Sequence, residues 1–193
     1  HGVNGDSNAD GLGLEIQTFQ VAAVVDLQKA YVRKVVDTVN DLDNVLYEIS
    51  NESQSSPELL EWQEQMIRYV RQIEAGKPKQ HPVGMTDVIG GPKQNNPPNG
   101  DLFASSADWI SPGVVTWGPK DVYSLDPPAV SGKKIEILDS DHTWNNACGS
   151  WSSEKRADRA WVWKSFLRGY HVLYMDPLDL SRGGGQGRLA PAG

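Results

Sequence analysis

The sequence has little of what marks disulfide-rich, membrane-spanning or nucleic-acid-binding proteins. Its single cysteine, Cys148, excludes an internal disulfide. No apolar run approaches the roughly 18–20 residues needed to cross a bilayer. The 18 Lys and Arg residues are outnumbered by 25 Asp and Glu residues, and the net charge of −7 disfavours a phosphate backbone as a partner. The sequence therefore predicts neither a membrane segment nor nucleic-acid binding.

The two ends of the chain leave its origin open. The sequence begins at His1 without a methionine or a signal peptide, so we expect either a processed protein or part of a longer one. The lack of disulfides does not decide the compartment, and we expect a secreted or periplasmic bacterial protein rather than a cytoplasmic one. Residues 181–193 are Gly-rich and aperiodic, which predicts a disordered tail after a folded segment of residues 1–180.

Apolar periodicity predicts an alternation of helices and short strands. Helices are predicted at residues 21–40, 57–75 and 154–168, the second capped by Ser55 or Ser56 and the third ended by Gly169. Strands are predicted at residues 45–49, 80–86, 107–112, 133–142 and 171–175. The stretches 50–56 and 87–100 are predicted as loops. Such alternation indicates right-handed βαβ units and an α/β fold with a parallel sheet.

A short polar segment near the start of the chain matches the opening of a calcium loop. Residues 6–11, Asp-Ser-Asn-Ala-Asp-Gly, would supply oxygen ligands from Asp6, Asn8 and Asp10. The twelfth position of the loop is Gln17 rather than the usual Glu, and Glu15 could substitute for it. The alternative is an Asx-rich turn that binds no metal. A structural Ca²⁺ is thus one of two interpretations, and no other cofactor is expected.

Polar residues, most of them acidic, occupy the carboxyl-terminal ends of two of the predicted strands. Asn51 and Glu52 follow the first strand, and Asp139 and Asp141 end the fourth. In a parallel barrel, functional side chains lie at the carboxyl ends of the strands. Glycosidic cleavage needs two carboxyl groups, one that protonates the leaving oxygen and one that attacks the anomeric carbon or activates water. We therefore predict Glu52, Asp139 and Asp141 as catalytic candidates, with Asn51 bonding the sugar 2-hydroxyl.

Other residues near the predicted strand ends suit sugar binding. His81 and His142 have no second ligand at helical spacing, so hydrogen bonds or sugar contacts are favoured over metal binding. Trp109 and Trp144 are predicted as platforms for the faces of sugar rings, although tryptophan suits a core equally well. Glu48 lies inside a predicted strand, which favours a structural role.

The segment that contains Glu52 also resembles a known family. Residues 47–52, Tyr-Glu-Ile-Ser-Asn-Glu, resemble the Asn-Glu signature that ends the fourth barrel strand in clan A glycoside hydrolases, including the cellulase-like family 5. Longer stretches are similar to bacterial barrel proteins described as cellulase-like or apiosidase-like: residues 30–52, 79–85, 107–111, 139–144 and 161–169. The resemblance implies a (β/α)8 TIM barrel, Glu52 as the acid/base and a nucleophile within residues 138–141.

The chain departs from the family pattern in two ways. Clan A enzymes usually have Glu as the nucleophile, whereas residues 138–141 offer only Asp139 and Asp141. A complete barrel has eight strands, whereas about five are predicted here, and the match begins after the third barrel strand. We therefore expect a partial barrel, strands four to eight, whose open edges would associate into a homo-oligomer, a dimer being favoured.

Two functions fit these observations. The first is a retaining glycoside hydrolase that acts on a plant-type polysaccharide or oligosaccharide. The second is a truncated, non-catalytic barrel fragment that oligomerises and at most binds sugar. The strand-end carboxylates favour the first function, and the missing strands favour the second.

Overall fold

Helices and short strands alternate along the chain in this computed structural model. The structure describes residues 2–51, 53–54, 56–86, 88–89, 99–112, 123, 126–139 and 158–173. Within these ranges a 3-10 helix, Leu14–Gln17, precedes four α-helices: α1 (Ala22–Val39), α2 (Pro57–Glu74), α3 (Gly100–Ala104) and α4 (Asp158–Leu167). The strands in the same ranges are β1 (Tyr47–Glu48), β2 (Ser53–Gln54), β3 (Val83–Thr86), β4 (Val88–Ile89), β5 (Trp109–Ser111), β6 (Ile135–Asp139) and β7 (His171–Leu173).

Five of the strands form one parallel sheet, in the order β1-β3-β5-β6-β7. Strand β1 pairs with β3 so that Glu48 stands opposite Gly84, and β6 pairs with β7 so that Asp139 stands opposite Leu173. Strands β2 and β4 form a separate parallel pair. The predicted α/β class with a parallel sheet is therefore confirmed.

The chain divides into two compact units, His1–Ile110 and Ser111–Gly193. In the first unit, α1 and α2 pack together against one face of the strands, and Val36, Ile67 and Val83 are almost completely buried in the core between them. Successive strand residues point to opposite faces, so Tyr47 is buried in this core whereas Glu48 is exposed. The Glu48 side chain thus lies on the face opposite the helices.

The second unit contains β6, β7 and α4. Leu138 and Trp161 are buried together with Tyr170, and Trp161 Nε1 donates a hydrogen bond of 2.8 Å to the carbonyl oxygen of Tyr123. Gly169 follows α4 with a φ of 96°, the left-handed conformation that commonly ends a helix and that glycine adopts without strain. The predicted helix end at Gly169 is confirmed.

Helix α2 begins where its sequence predicts and ends at Glu74, one residue before the predicted end. The Ser56 hydroxyl oxygen accepts a hydrogen bond of 3.1 Å from the backbone N–H of Leu59, which satisfies one of the free amides of the first turn. Pro57 occupies the first helical position, where no N–H is needed. The cap predicted at Ser55 or Ser56 is confirmed at Ser56.

None of the helices in the described ranges combines the length and apolar character that a bilayer-spanning segment needs.

Some short elements differ from the prediction. Strands β2 and β4 lie within stretches predicted as loops, and their pairing joins segments far apart in the chain, so no local pattern marks it. Helix α3 has only five residues, too few for a helical period to show in the sequence. Three predicted strands are shorter where the structure describes them fully: residues 45–49 contain only β1, residues 80–86 only β3, and residues 107–112 only β5.

Candidate functional site at the carboxyl ends of strands β1 and β3

Polar side chains cluster at the carboxyl ends of β1 and β3. Glu48 is the last residue of β1 and Thr86 the last residue of β3. The Thr86 hydroxyl lies 2.9 Å from Glu48 Oε1 and 2.9 Å from the Ser50 carbonyl oxygen. A hydroxyl has one proton, so it donates to one of these acceptors at a time and leaves most of the acceptor capacity of Glu48 free. The parallel register thus places an accessible carboxylate at this edge of the first unit.

The loop after β1 is anchored on both sides of Asn51. Gln17, in the 3-10 helix, donates from Nε2 to the Ser50 hydroxyl at 3.0 Å and to the Ser53 hydroxyl at 3.3 Å, and the two hydroxyls contact each other. Ser53 is buried, whereas Asn51 is exposed. The loop is therefore held at Ser50 and Ser53 while Asn51 stays open to solvent. We call Gln17, Glu48, Ser50, Ser53 and Thr86 the carboxyl-edge cluster.

The other predicted catalytic residues fall partly outside the described ranges. Glu52 lies outside them, between Asn51 and Ser53. Asp139 is the last residue of β6, so its backbone has the predicted strand-end position, although its side chain is not among those described. Three further predicted site residues also lie outside the described ranges: Asp141, His142 and Trp144.

Trp109, predicted as a sugar platform, packs over Gly84 of β3. Its side chain is 7% exposed, and its ring lies directly over Gly84: a Cβ atom added to Gly84 would stand 1.9 Å from Trp109 Cε2. Glycine at this position therefore makes room for the ring. Within the described residues, Trp109 Nε1 has no hydrogen-bond partner. A stacking platform needs an accessible ring face, so the observed role of Trp109 is packing.

A second polar cluster is buried at the amino ends of the same strands. Glu74 is 1% exposed, and its Oε1 accepts hydrogen bonds from Asn40 Nδ2 at 2.9 Å, from the Tyr47 hydroxyl at 3.1 Å and from His81 Nδ1 at 2.7 Å. Glu74 Oε2 accepts the backbone N–H of His81 at 2.7 Å. The other ring nitrogen of His81 lies 2.7 Å from the Leu42 carbonyl oxygen. We call these five residues the amino-edge network. His81, predicted to contact sugar, thus has both ring nitrogens bonded within the protein.

The contacts of His81 determine its charge. The Leu42 carbonyl can only accept a hydrogen bond, and the Glu74 carboxylate faces the other nitrogen, so only an imidazolium satisfies both. The hydrogen bond to Glu74 is the main cause that raises the pKa of His81 above its ordinary value. Burial pushes the pKa of Glu74 upward, but its hydrogen bonds, above all those from His81, outweigh burial and lower that pKa. Burial, together with the charge of Glu74, raises the pKa of Tyr47 to about 12, so its hydroxyl remains a donor.

We expect the free energy of unfolding to fall as the pH rises through the folded-state pKa of His81. Because folding raises this pKa, the stabilisation is complete below the ordinary value of 6.5 and is lost above the raised value. The lowered pKa of Glu74 has its effect at acid pH. The contribution of Glu74 to the free energy of unfolding is present above pH 4.5 and is lost as the pH falls through the lowered pKa. Urea unfolding across this range measures both losses. In His81→Gln, the free energy of unfolding should no longer fall as the pH rises. If it falls as steeply in that variant as in the parent, the loss at higher pH does not come from His81.

The side chains of the predicted calcium loop bond to backbone amides. Asp6 accepts hydrogen bonds from the N–H groups of Asp10 and Gly11 at 3.2 and 2.9 Å, and Asn8 Oδ1 accepts from that of Asp10 at 2.8 Å. Asp10 accepts from the N–H of Leu12 at 2.8 Å. Among the described residues, no three His, Cys, Asp or Glu side chains are grouped as metal ligands. The observed arrangement is that of an Asx-rich turn.

Sequence reasoning missed two acidic residues of these clusters. Glu48 is predicted as structural because it lies within a strand, yet the alternation of a strand puts it on the face opposite Tyr47, and that parity is the signal that identifies it. Glu74 is the last residue of an amphipathic helix, and its partners Asn40 and Tyr47 are distant in the chain. No local pattern marks Glu74.

Comparisons with known proteins give no independent identification. No protein-family model matches the chain, and neither does any curated protein or solved structure. The parallel α/β fold and the two polar clusters are therefore described from this chain alone.

Proposed function

We propose that the chain is a retaining glycoside hydrolase acting on a plant-type polysaccharide or oligosaccharide. The observation that carries the proposal is the carboxyl-edge cluster. An exposed carboxylate, Glu48, and an exposed amide, Asn51, lie at the carboxyl end of a parallel strand, immediately before Glu52. Parallel α/β folds bind substrates at this end of their strands. Carboxylate and amide groups of this kind hydrogen-bond sugar hydroxyls.

Glu52 is the proposed acid/base, and Asp141 or Asp139 is the proposed nucleophile. In the first step Glu52 protonates the leaving glycosidic oxygen while the nucleophile attacks the anomeric carbon, which breaks the C–O bond and forms a glycosyl ester. In the second step Glu52 takes a proton from water, and the water oxygen displaces the carboxylate and releases the sugar. Asn51 bonds the 2-hydroxyl beside the reacting carbon. The reaction balances without a cofactor.

The proposal includes the identity of the strands as strands four to eight of a (β/α)8 barrel. In the second unit, Leu138 and Val172 pack toward α4. On the other face of the same two strands, Ile135 and Leu173 are 49% and 55% exposed. Parallel strands are normally covered on both faces. An apolar face of this kind, open to solvent, is expected where the rest of a barrel is absent.

The same exposed face favours a second candidate, a truncated and non-catalytic barrel fragment that forms a homodimer and at most binds sugar. Covering Ile135 and Leu173 in a dimer removes apolar surface from water, which is favourable. We expect light scattering after size exclusion to give the mass of a dimer and Leu173→Asp to give a folded monomer. Leu27→Asp, at an exposed position of α1, is the matched control and should leave the mass unchanged. A monodisperse parent monomer would exclude this association.

The test of the enzymatic proposal is turnover by the full chain. A panel of aryl glycosides and soluble β-glucans is assayed for released phenol and reducing sugar, and retention of anomeric configuration is followed by proton NMR. Turnover with retention supports the proposal. Binding of the same oligosaccharides in calorimetry without any turnover across the panel supports the non-catalytic candidate instead.

A further inference from the structure

A groove of about 310 Å³ lies between elements of the first unit. Its described lining comes from three parts of the chain: Phe19 precedes α1, Lys29 belongs to α1, and the remaining residues belong to α2. None of these lining residues belongs to the carboxyl-edge cluster or to the amino-edge network. The volume is at the lower end of the range for small-molecule sites. The groove is therefore a separate feature with room for a small ligand.

Part of the groove is apolar. Met66 is 2% exposed, so it lies at the bottom of the groove, whereas Phe19 is 39% exposed and keeps part of its ring open to solvent. Tyr69 lines the groove as well and is partly buried. An aromatic ring and a thioether offer contacts to the C–H groups of a ring-shaped ligand. A ligand with at least one apolar face therefore fits this part.

Positive charges collect around Tyr69. Lys29 Nζ lies 5.6 Å from the centre of the Tyr69 ring, and the guanidinium carbon of Arg33 lies 5.9 Å from it. Across the described residues neither Lys29 nor Arg33 forms an ion pair, although Lys29 is partly buried. A cation–π contact leaves N–H donors of both groups available. An anion in the groove would supply the counter-charge that the partly buried ammonium group of Lys29 lacks.

Helix α2 adds a polar row to the same groove. Glu61, Gln65, Arg68 and Gln72 follow one another at spacings of four, three and four, which places them on one face of the helix. Arg68 is 63% exposed, and its contact with Glu64 is 4.0 Å, too long for a hydrogen bond, so its guanidinium donors are available. Glu61 lies two turns before Arg68, roughly 10 Å along the helix axis. The row thus offers amide and carboxylate partners for hydroxyl groups on one side of a guanidinium group.

We propose that this groove binds a carboxylated sugar, a single uronic acid residue. Lys29 and Arg68 bind its carboxylate, and the guanidinium fork of Arg68 matches the two carboxylate oxygens. Gln65 and Glu61 hydrogen-bond its hydroxyl groups. The C–H groups of the sugar ring pack against the exposed part of the Phe19 ring. The site is a binding site and requires no reaction.

Charge selects this ligand over other small anions and over neutral sugars. The chain has a net charge of −7, so the cations Lys29, Arg33 and Arg68 around one groove make a local field of the opposite sign. The carboxylate of Glu61 in the same groove repels a second negative charge, which favours a single carboxylate over a phosphate dianion. Only the choice of a sugar among hydroxylated carboxylates rests on the proposed function.

The experiment titrates the full chain with sodium D-glucuronate at constant ionic strength and follows the methyl signals of methionine by NMR. Met66 lines the groove and its signal should shift, whereas Met85, 1% exposed in the core, is an internal control and should not. We expect a dissociation constant on the order of 1 mM, as a single sugar ring can reach. D-glucose lacks the carboxylate and acetate lacks the ring, so each should bind at least about tenfold more weakly.

The variants are Lys29→Gln and Arg68→Gln, and each should lower the affinity for glucuronate by at least about tenfold because a charge-assisted hydrogen bond is lost. Lys34→Gln is the matched control. It removes the same charge from an exposed position of α1 outside the described lining, and it should bind as the parent does.

Three results would overturn the proposal. The first is a Met66 signal that does not move in glucuronate, and the second is parental affinity in both groove variants. The third is acetate binding as tight as that of glucuronate, which would show general attraction of anions. If a groove variant loses the circular dichroism spectrum of the parent, the comparison of glucuronate with glucose and acetate in the parent decides instead. Glucuronate binding by a chain without turnover leaves the site standing, whereas turnover without any Met66 shift removes the site and leaves the proposed function standing.

Discussion

Replacing Glu52 with Gln should lower kcat on alkyl glycosides and natural oligosaccharides by about 10²–10⁴-fold, the usual contribution of a general acid/base. The amide has nearly the shape of the acid but cannot give a proton to the leaving oxygen. An aryl leaving group such as 2,4-dinitrophenol departs without protonation, so the loss in the glycosylation step should be much smaller with that substrate. Rates on a series of leaving groups therefore distinguish a lost acid from a lost fold.

The matched control for Glu52→Gln is Glu58→Gln. Glu58 is exposed in the first turn of α2, and its substitution removes the same charge without touching the carboxyl-edge cluster. Its rate constants should stay close to those of the parent on every substrate. If Glu52→Gln also retains parental rates, Glu52 has no part in the mechanism. Glu48→Gln is then the next variant to assay, because Glu48 is the carboxylate that the structure describes at the carboxyl ends of β1 and β3.

Glu74→Ala should lower the free energy of unfolding by about 3–5 kcal/mol, as expected when one member of a buried charged pair is removed. The substitution leaves the His81 imidazolium without its counter-ion and takes the acceptor from Asn40 and Tyr47. Urea unfolding followed by circular dichroism gives the difference. Glu74→Gln keeps the volume and one acceptor oxygen but not the charge, so it should be intermediate.

The control for the amino-edge network is Asp37→Ala. Asp37 pairs with Lys77 at 2.6 Å on the surface. Because water and salt screen such a pair, the urea midpoint of Asp37→Ala should be close to that of the parent. Equal midpoints for Glu74→Ala and the parent would show that the buried pair contributes no net stability.

The sequence predicts most of the helices and strands because their signals are local. Ser56 and Pro57 are read directly as a helix start, and the apolar spacing of α1 and α2 needs no tertiary information. The strand-end position of Asn51 follows in the same way. By contrast, Trp109 near a predicted strand end suits both a platform and a core, and only the contact with Gly84 decides between them.

The contacts that organise both polar clusters are long-range, which is why the sequence does not predict them. Gln17 reaches Ser50 and Ser53 across more than thirty intervening positions. Asn40 reaches Glu74 over a similar separation. A polar residue without a local pattern has many alternative partners, and packing of the helices against the strands selects one. The calcium-loop motif shows the reverse case, since its local spacing is clear but its side chains bond to backbone amides.

Strand β1 has consequences for how this protein can vary. Two adjacent residues serve opposite purposes: Tyr47 belongs to the amino-edge network that is buried against the helices, and Glu48 belongs to the exposed cluster on the other face. Substitutions in the loop after β1 can therefore change the exposed cluster without removing a partner of Glu74. The residues that hold the fold and those that would choose a ligand can evolve separately, and new specificities are most accessible through Asn51, the exposed residue between the two anchors.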